Sequence, residues 1–181
     1  MKQTGGFVSS MNSYNKKKNT YVRRQLLNTL LDMLRTQKLD DIVINDLVDK
    51  AGVGRVSFYR NYADKKDILI QEETRLFNEW KTDYERRNVD DSLNFTEELL
   101  NYYKNNSDFY LALYNTGLSD IVMDTIISSA DIREEDLNPV AYLKSSIAYM
   151  IYGWVDEWMK RGMQESGTEL SLMIKQSQNA K

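Results

Sequence analysis

The sequence predicts an all-α protein, with a small N-terminal helical head and a larger helical body. Three observations lead there. The 181 residues include one Pro and eight Gly, so helix breakers are scarce. Apolar side chains recur at three- and four-residue spacing along most of the chain, the period of a helix with one buried face. No stretch shows the alternation of apolar and polar residues that a half-buried strand requires.

The elements follow in order. Residues 1–18 read as a flexible basic arm, polar, with Gly5-Gly6 and Ser9-Ser10, ending in Lys16-Lys17-Lys18. A first helix is expected from Asn19 or Thr20. Its buried stripe is Val22, Leu26, Leu27, Leu30, Leu31 and Leu34, while Arg23, Arg24 and Asn28 turn toward solvent or a partner. After a turn at 38–41, a short second helix spans about Ile44 to Ala51, with Leu47, Val48 and Ala51 inward. Gly52 sits where a helix C-terminus favours a left-handed residue. A third helix covers about Arg55 to Tyr62.

Asp64 and Asp67 have nearly the spacing and chemistry of a capping box, opening a fourth helix that runs to about Arg87. Leu69, Leu76, Trp80 and Tyr84 mark its expected inner face. Beyond a polar loop at 88–94, helices are predicted near 95–105, 108–115 and 119–129, then an acidic loop at 130–137. Asn138-Pro139, a cap followed by a first-turn proline, starts a helix reaching about Arg161, and Gly162 ends it. A last helix is expected at 168–178. The predicted division is an arm (1–18), a head (19–66) and a body (67–181).

Composition narrows the function. Without Cys there are no disulfides or thiolate metal sites, and without His the commonest general base and transition-metal ligand are missing. The runs Asp90-Asp91, Glu97-Glu98 and Glu134-Glu135-Asp136 read as solvated helix ends, not as paired catalytic carboxylates. No catalytic residue, metal site or cofactor is therefore expected. No apolar run approaches the roughly 18 residues of a membrane span, and the N-terminus lacks a signal-peptide core. A cytoplasmic protein with no membrane partner is expected. The net charge of −3 is unevenly spread. Residues 1–70 carry 13 Lys+Arg against 7 Asp+Glu, or +6, and residues 71–181 carry 11 against 20, or −9. A basic head on an acidic body is the asymmetry expected when only one end meets phosphate.

The stretch from Ile42 to Leu69 carries the functional signal. Ala51 and Gly52 permit the close approach of a helix-turn-helix, and Val53 and Phe58 supply buried contacts that fix its second helix. Left on the outer face are Arg55, Val56, Ser57, Tyr59, Arg60 and Asn61. These are the forks, hydroxyls and amides that read base edges and grip phosphates in duplex DNA.

Ala51-Gly52-Val53, Ser57-Phe58-Tyr59, Tyr62 and Lys65 fall in one register, and through them residues 20–70 resemble the DNA-binding domain of the TetR family of regulators. The resemblance implies an N-terminal three-helix helix-turn-helix DNA-binding domain and a C-terminal helical dimerisation and ligand-binding domain. It implies that Arg55 and Val56 face bases, that Ser57, Tyr59 and Asn61 hold phosphates and register, and that Arg60 serves either. Lys65 is implied to meet phosphate beside a helix N-terminus. Val43 and Gly54 stand where the family favours hydroxyl caps, and Asn61 where it favours His or Tyr.

The body would pair two copies. The resemblance places a four-helix dimer interface on about 140–178, with Leu143, Ile147, Ile151, Trp154 and Trp158 as contact residues. Tyr152-Gly153-Trp154, Trp158 and Gly162-Met163 resemble a subgroup that includes regulators of dihydroxyacetone kinase operons, some of which activate. The aromatic set Trp80, Tyr84, Tyr103, Tyr110, Tyr114 and Tyr149 has the amphipathic character of a ligand-pocket lining. The expectation is a sequence-specific homodimeric transcriptional regulator, a repressor on a near-palindromic operator, released or modulated by a small-molecule effector. The alternative is a coactivator or protein-interaction module that keeps the fold but works through another regulator. Intact Arg55 and Lys65 favour direct DNA contact.

Overall fold

Nine α-helices and one 3-10 turn make up the described residues, which in this computed structural model are 5–87 and 92–179, with side chains described over 18–87 and 95–177. No strand occurs among them. The helices are α1 (Gly5–Leu34), α2 (Ile44–Lys50), α3 (Arg55–Asn61), α4 (Lys65–Arg86), α5 (Ser92–Asn105), α6 (Ser107–Asn115), α7 (Asp120–Ser129), α8 (Asn138–Lys160) and α9 (Gly167–Asn179). The chain divides into two units, Met1–Glu72 and Glu73–Lys181. The boundary falls within α4, six residues beyond the 66/67 division read from the sequence.

The first helix is longer than expected. Its backbone is helical from Gly5, so the segment read as a flexible arm continues α1. The stretch holds no proline, and Phe7, Met11 and Tyr14 keep helical spacing. Once a turn exists, each further residue adds a hydrogen bond for little extra ordering. The side chains of Lys16 and Lys17 lie outside the described residues, and Lys18 is exposed. The start of the predicted 88–94 loop also lies outside them, and α5 begins at Ser92, three residues earlier than expected.

In the head, α1, α2 and α3 pack against one another. Val22, Leu26, Leu30, Met33 and Leu34 of α1 are buried, with Ile42, Leu47, Val48, Val53 and Phe58 opposite. Leu27 and Leu31, expected in the stripe, are half-buried at its edge. Each fully buried Leu or Phe contributes about 1.5–3 kcal/mol relative to exposure. Asp64 caps α4: its carboxylate accepts from Asp67 N–H at 2.8 Å, and the Asp67 carboxylate accepts from Ala63 N–H at 2.8 Å. This is the reciprocal pattern the sequence suggested, shifted by one residue on its return arm.

In the body, α5 lies along α9, α7 lies along α8, and α6 also packs on α8. Gly167 sets the closeness of the first pair, because a Cβ there would fall 2.3 Å from Asn101 N. Thr168 then donates to Glu97 at 2.8 Å and accepts from Asn101 at 3.3 Å. The Lys104 ammonium bonds the carbonyls of Met163 and Gln164, satisfying groups left open just past the end of α8. The core contains Leu100, Tyr103, Tyr110, Leu113, Val122, Val155 and Met159. Glu73 is buried in the body, so the inward face of α4 runs through Glu73 and Phe77, while Leu76, Trp80 and Tyr84 are half-buried.

Candidate nucleic-acid interface

The turn between α2 and α3 follows from one residue. Gly52 adopts φ +64°, a left-handed conformation that costs other L-residues about 1–2 kcal/mol. That conformation lets Gly52 N–H bond Asp49 O at 3.1 Å and Val53 N–H bond Val48 O at 2.9 Å. The paired bonds close α2 in a Schellman motif and send Val53 into the core. α3 begins two residues later, with Gly54 as a cap that supplies no side-chain bond.

Phe58 anchors α3. Its ring is fully buried and meets the Tyr59 ring edge-on, with centroids 5.1 Å apart. Seven residues make only two turns, so burying Phe58 directs the opposite side outward. Arg55, Val56, Tyr59 and Arg60 share that exposed side. Val56 is 73% exposed and Tyr59 50%. The Arg55 guanidinium lies over the Tyr59 ring, 5.6 Å from its centroid, which orients the fork while leaving it in solvent. The surface therefore presents two cationic forks around an apolar centre. Such forks can bond guanine edges or phosphates, and apolar groups can meet thymine methyls.

Three of the expected DNA contacts are placed differently. Ser57 is half-buried on the flank of α3. Asn61 spends its side-chain N–H on Ser57 O at 2.8 Å, and its backbone carbonyl accepts from Gln71 at 3.1 Å. Its donor thus closes the helix it sits on. Lys65 turns inward: its ammonium donates to the carbonyls of Leu39 at 2.7 Å, Asp40 at 3.2 Å and Ile42 at 2.5 Å. The 3-10 turn Leu39–Asp41 converges three acceptors on one point, and an ammonium has three hydrogens to give. In this structure Lys65 is therefore a strut under the loop leading into α2; the phosphate contact is what the family resemblance implied for it.

A supporting network escaped the sequence reading. Arg23 was expected to face solvent or a partner. It is half-buried instead, donating to Tyr62 Oη at 3.3 Å and to Gln71 Oε1 at 2.9 Å. Gln71 passes its own hydrogens to Asn61 O and to Asp67 at 2.9 Å. α1, the end of α3 and the start of α4 are thus tied by side chains around the base of the exposed helix. Burial raises the Tyr62 phenol above its ordinary range, and Arg23 partly offsets this, so Tyr62 stays a neutral partner. The polar spacing of Arg23 and Gln71 carries no local signal of this arrangement; only the folded path brings them together.

The remaining site residues lie in the body. Trp80 stacks on Tyr84 with centroids 5.7 Å apart, and Tyr103 packs on Tyr110 at 4.7 Å. Tyr102 joins the two pairs, lying 5.7 Å from Trp80 and 6.1 Å from Tyr110. These rings fill space against one another. Tyr114 is half-buried, and Tyr149 is exposed on α8. On α8, Leu143 (62% exposed), Ile147 and Met150 form an open apolar face, with Ile151 and Trp154 at its margin. Trp158 does not belong to it. It is 3% exposed, inside the core with Val155, Met159 and Met163 where the chain reverses after α8. Among the described residues no cluster of His, Cys, Asp and Glu is arranged to hold a metal, and no helix is long and apolar enough to cross a membrane.

Residues 90–180 match a TetR C-terminal family model described as "Transcriptional regulator C-terminal region". Among solved structures, the chain is similar to that of Lin0861 from Listeria innocua, with TM-score 0.72 and 15% identity over 90% of this chain and 91% of that one. At that identity the likeness speaks to the fold. No curated protein matches the chain.

Proposed function

The chain belongs to the TetR family of transcriptional regulators, and from that premise we propose that it binds duplex DNA sequence-specifically through the exposed face of α3. Arg55 and Val56 read bases, Tyr59 and Arg60 fix register on the flanking phosphates, and Ser57 and Asn61 shape the helix that carries them. One observation supports this above others. The only elements the head leaves uncovered on α3 are two guanidinium forks and two apolar side chains, held rigidly by Phe58 and the Arg23 network. The +6 balance of residues 1–70 gives the attraction that brings such a face to phosphate.

The protein acts as a homodimer, paired through the open apolar face of α8 around Leu143 and Ile147. Two copies present two α3 helices roughly 34 Å apart, one duplex turn, so the operator is a near-palindrome. The reading extends to a cytoplasmic repressor released or modulated by a small molecule. Kinship with regulators of dihydroxyacetone kinase operons, suggested by the residues around Trp154, belongs to the same proposal. Selection of bound fragments from random DNA tests it. Enrichment of a two-fold symmetric motif is expected, and recovery of no motif at moderate salt would remove the proposal.

A further inference from the structure

A cavity of about 220 Å³ opens in the body among α4, α5, α7 and α8. Phe77, Phe95, Leu99, Ile126, Ala148 and Ile151 wall it, and none of the aromatic residues singled out from the sequence lines it. At its rim stands Lys144, whose ammonium donates to Asp131 O at 2.8 Å and to the Asp136 carboxylate at 2.7 Å. Resting on the reading of a ligand-responsive regulator, we propose that this cavity takes a small neutral apolar molecule bearing one carbonyl oxygen, such as an aryl ketone, lactone or amide.

Size, polarity and charge each narrow the class. A dry apolar cavity of about 150 Å³ is enough for benzene, so this one admits a ring and a short substituent. Two of the three Lys144 hydrogens are engaged, which fixes the ammonium and leaves one hydrogen to give. A carbonyl oxygen accepts it without bringing a charge out of water. The Lys144 charge is already matched by the Asp136 carboxylate at 2.7 Å, so an anion would have to compete with that carboxylate. A cation would meet Lys144 itself, and the Asp136 carboxylate beside it is already engaged by that ammonium.

The cavity also touches the pairing face. Ile147 and Ile151 line it and belong to the apolar side of α8 assigned above to the second copy. An empty apolar cavity lets such side chains turn inward; a filled one holds them out. Occupancy therefore strengthens pairing, and by reciprocity pairing strengthens occupancy.

The test uses the full-length protein with acetophenone, toluene and benzoate as calorimetric probes. Acetophenone is expected to bind one per protomer, about tenfold tighter than toluene, which lacks the acceptor, and tighter still than benzoate. Lys144→Met should bring acetophenone and toluene to equal affinity, and Ala148→Leu, which fills the cavity, should abolish both. If Ala148→Leu proves unfolded by circular dichroism, Lys144→Met alone decides. In sedimentation, saturating acetophenone should tighten the dimer by about fivefold. Benzoate binding as well as acetophenone, absence of acetophenone binding, or Lys144→Met leaving its preference over toluene intact would overturn the ligand class. An unchanged or weakened dimer would overturn the coupling. None of these measurements involves DNA. A protein that selects an operator yet ignores acetophenone loses only this inference, and one that binds acetophenone yet selects no operator loses only the regulator reading.

Discussion

Replacing Lys65 by Met removes three hydrogen bonds while keeping most of the alkyl stem that packs beneath them. The bonds reach Leu39 O, Asp40 O and Ile42 O at 2.7, 3.2 and 2.5 Å. A bond to a charged group contributes about 1.5–3 kcal/mol when well made. Here one ammonium is shared among three carbonyls, the 3.2 Å bond is exposed, and water can solvate those carbonyls in the variant. The set should therefore contribute roughly 2–4 kcal/mol, well below three independent bonds. Against the 5–15 kcal/mol typical of a whole domain, that is a large fraction. Urea unfolding of the full-length chain should show the loss, and hydrogen exchange should localise it to amides of residues 39–50. DNA affinity should fall because α2 is no longer held, yet its salt dependence should hold steady, since no phosphate contact is lost. A variant whose stability stays within about 0.5 kcal/mol, and whose salt slope falls by about one, would show that Lys65 grips phosphate and that the strut is wrong.

Arg55→Ala should cost about 1–3 kcal/mol on the selected operator and little on unrelated duplex, as read by competition binding; an equal loss on both would remove its base-reading role. Phe58→Ala should destabilise the protein by about 3–5 kcal/mol in urea unfolding, because the fully buried ring leaves a cavity in the head's core. Leu143→Glu combined with Ile147→Glu should give a folded monomer at micromolar concentration; a dimer persisting in sedimentation would place the interface elsewhere. The phenols of Tyr103 and Tyr110 lie well above the ordinary value of 10.0, through burial first and the nearby Glu73 carboxylate second. The unfolded chain ionises at that ordinary value and the folded chain does not. Stability from these groups is thus constant well below it and falls as pH rises through and beyond it, so the urea midpoint should hold to about pH 9 and drop by about pH 11.

The helices of the head and body were legible because apolar spacing, scarce breakers and cap residues agree locally. Gly52, Asp64 and the Asn138-Pro139 pair marked ends that the structure places within a residue or two. The extended start of α1 was misread because its polar composition suggests disorder, while its lack of proline lets an established helix propagate. Exposed and buried members of α3 separated correctly for Phe58, Arg55, Val56, Tyr59 and Arg60, whose identities declare their preferences. Lys65, Asn61, Arg23 and Trp158 have partners or burial that their spacing does not declare, since a polar or aromatic side chain has more than one way to be satisfied.

What the amino-acid order determines here is the set of segments and their buried sides: hydrophobic period and capping act within a few residues, so they can be read along the chain. The partner of each polar group and the walls of each cavity are different in kind. Lys65 finds carbonyls 23 to 26 residues away, Arg23 finds Gln71 48 residues away, and α4, α5, α7 and α8 enclose a space that no one of them outlines. Those choices depend on which surfaces the packed helices bring within about 3 Å, and that distance exists only after the chain has folded.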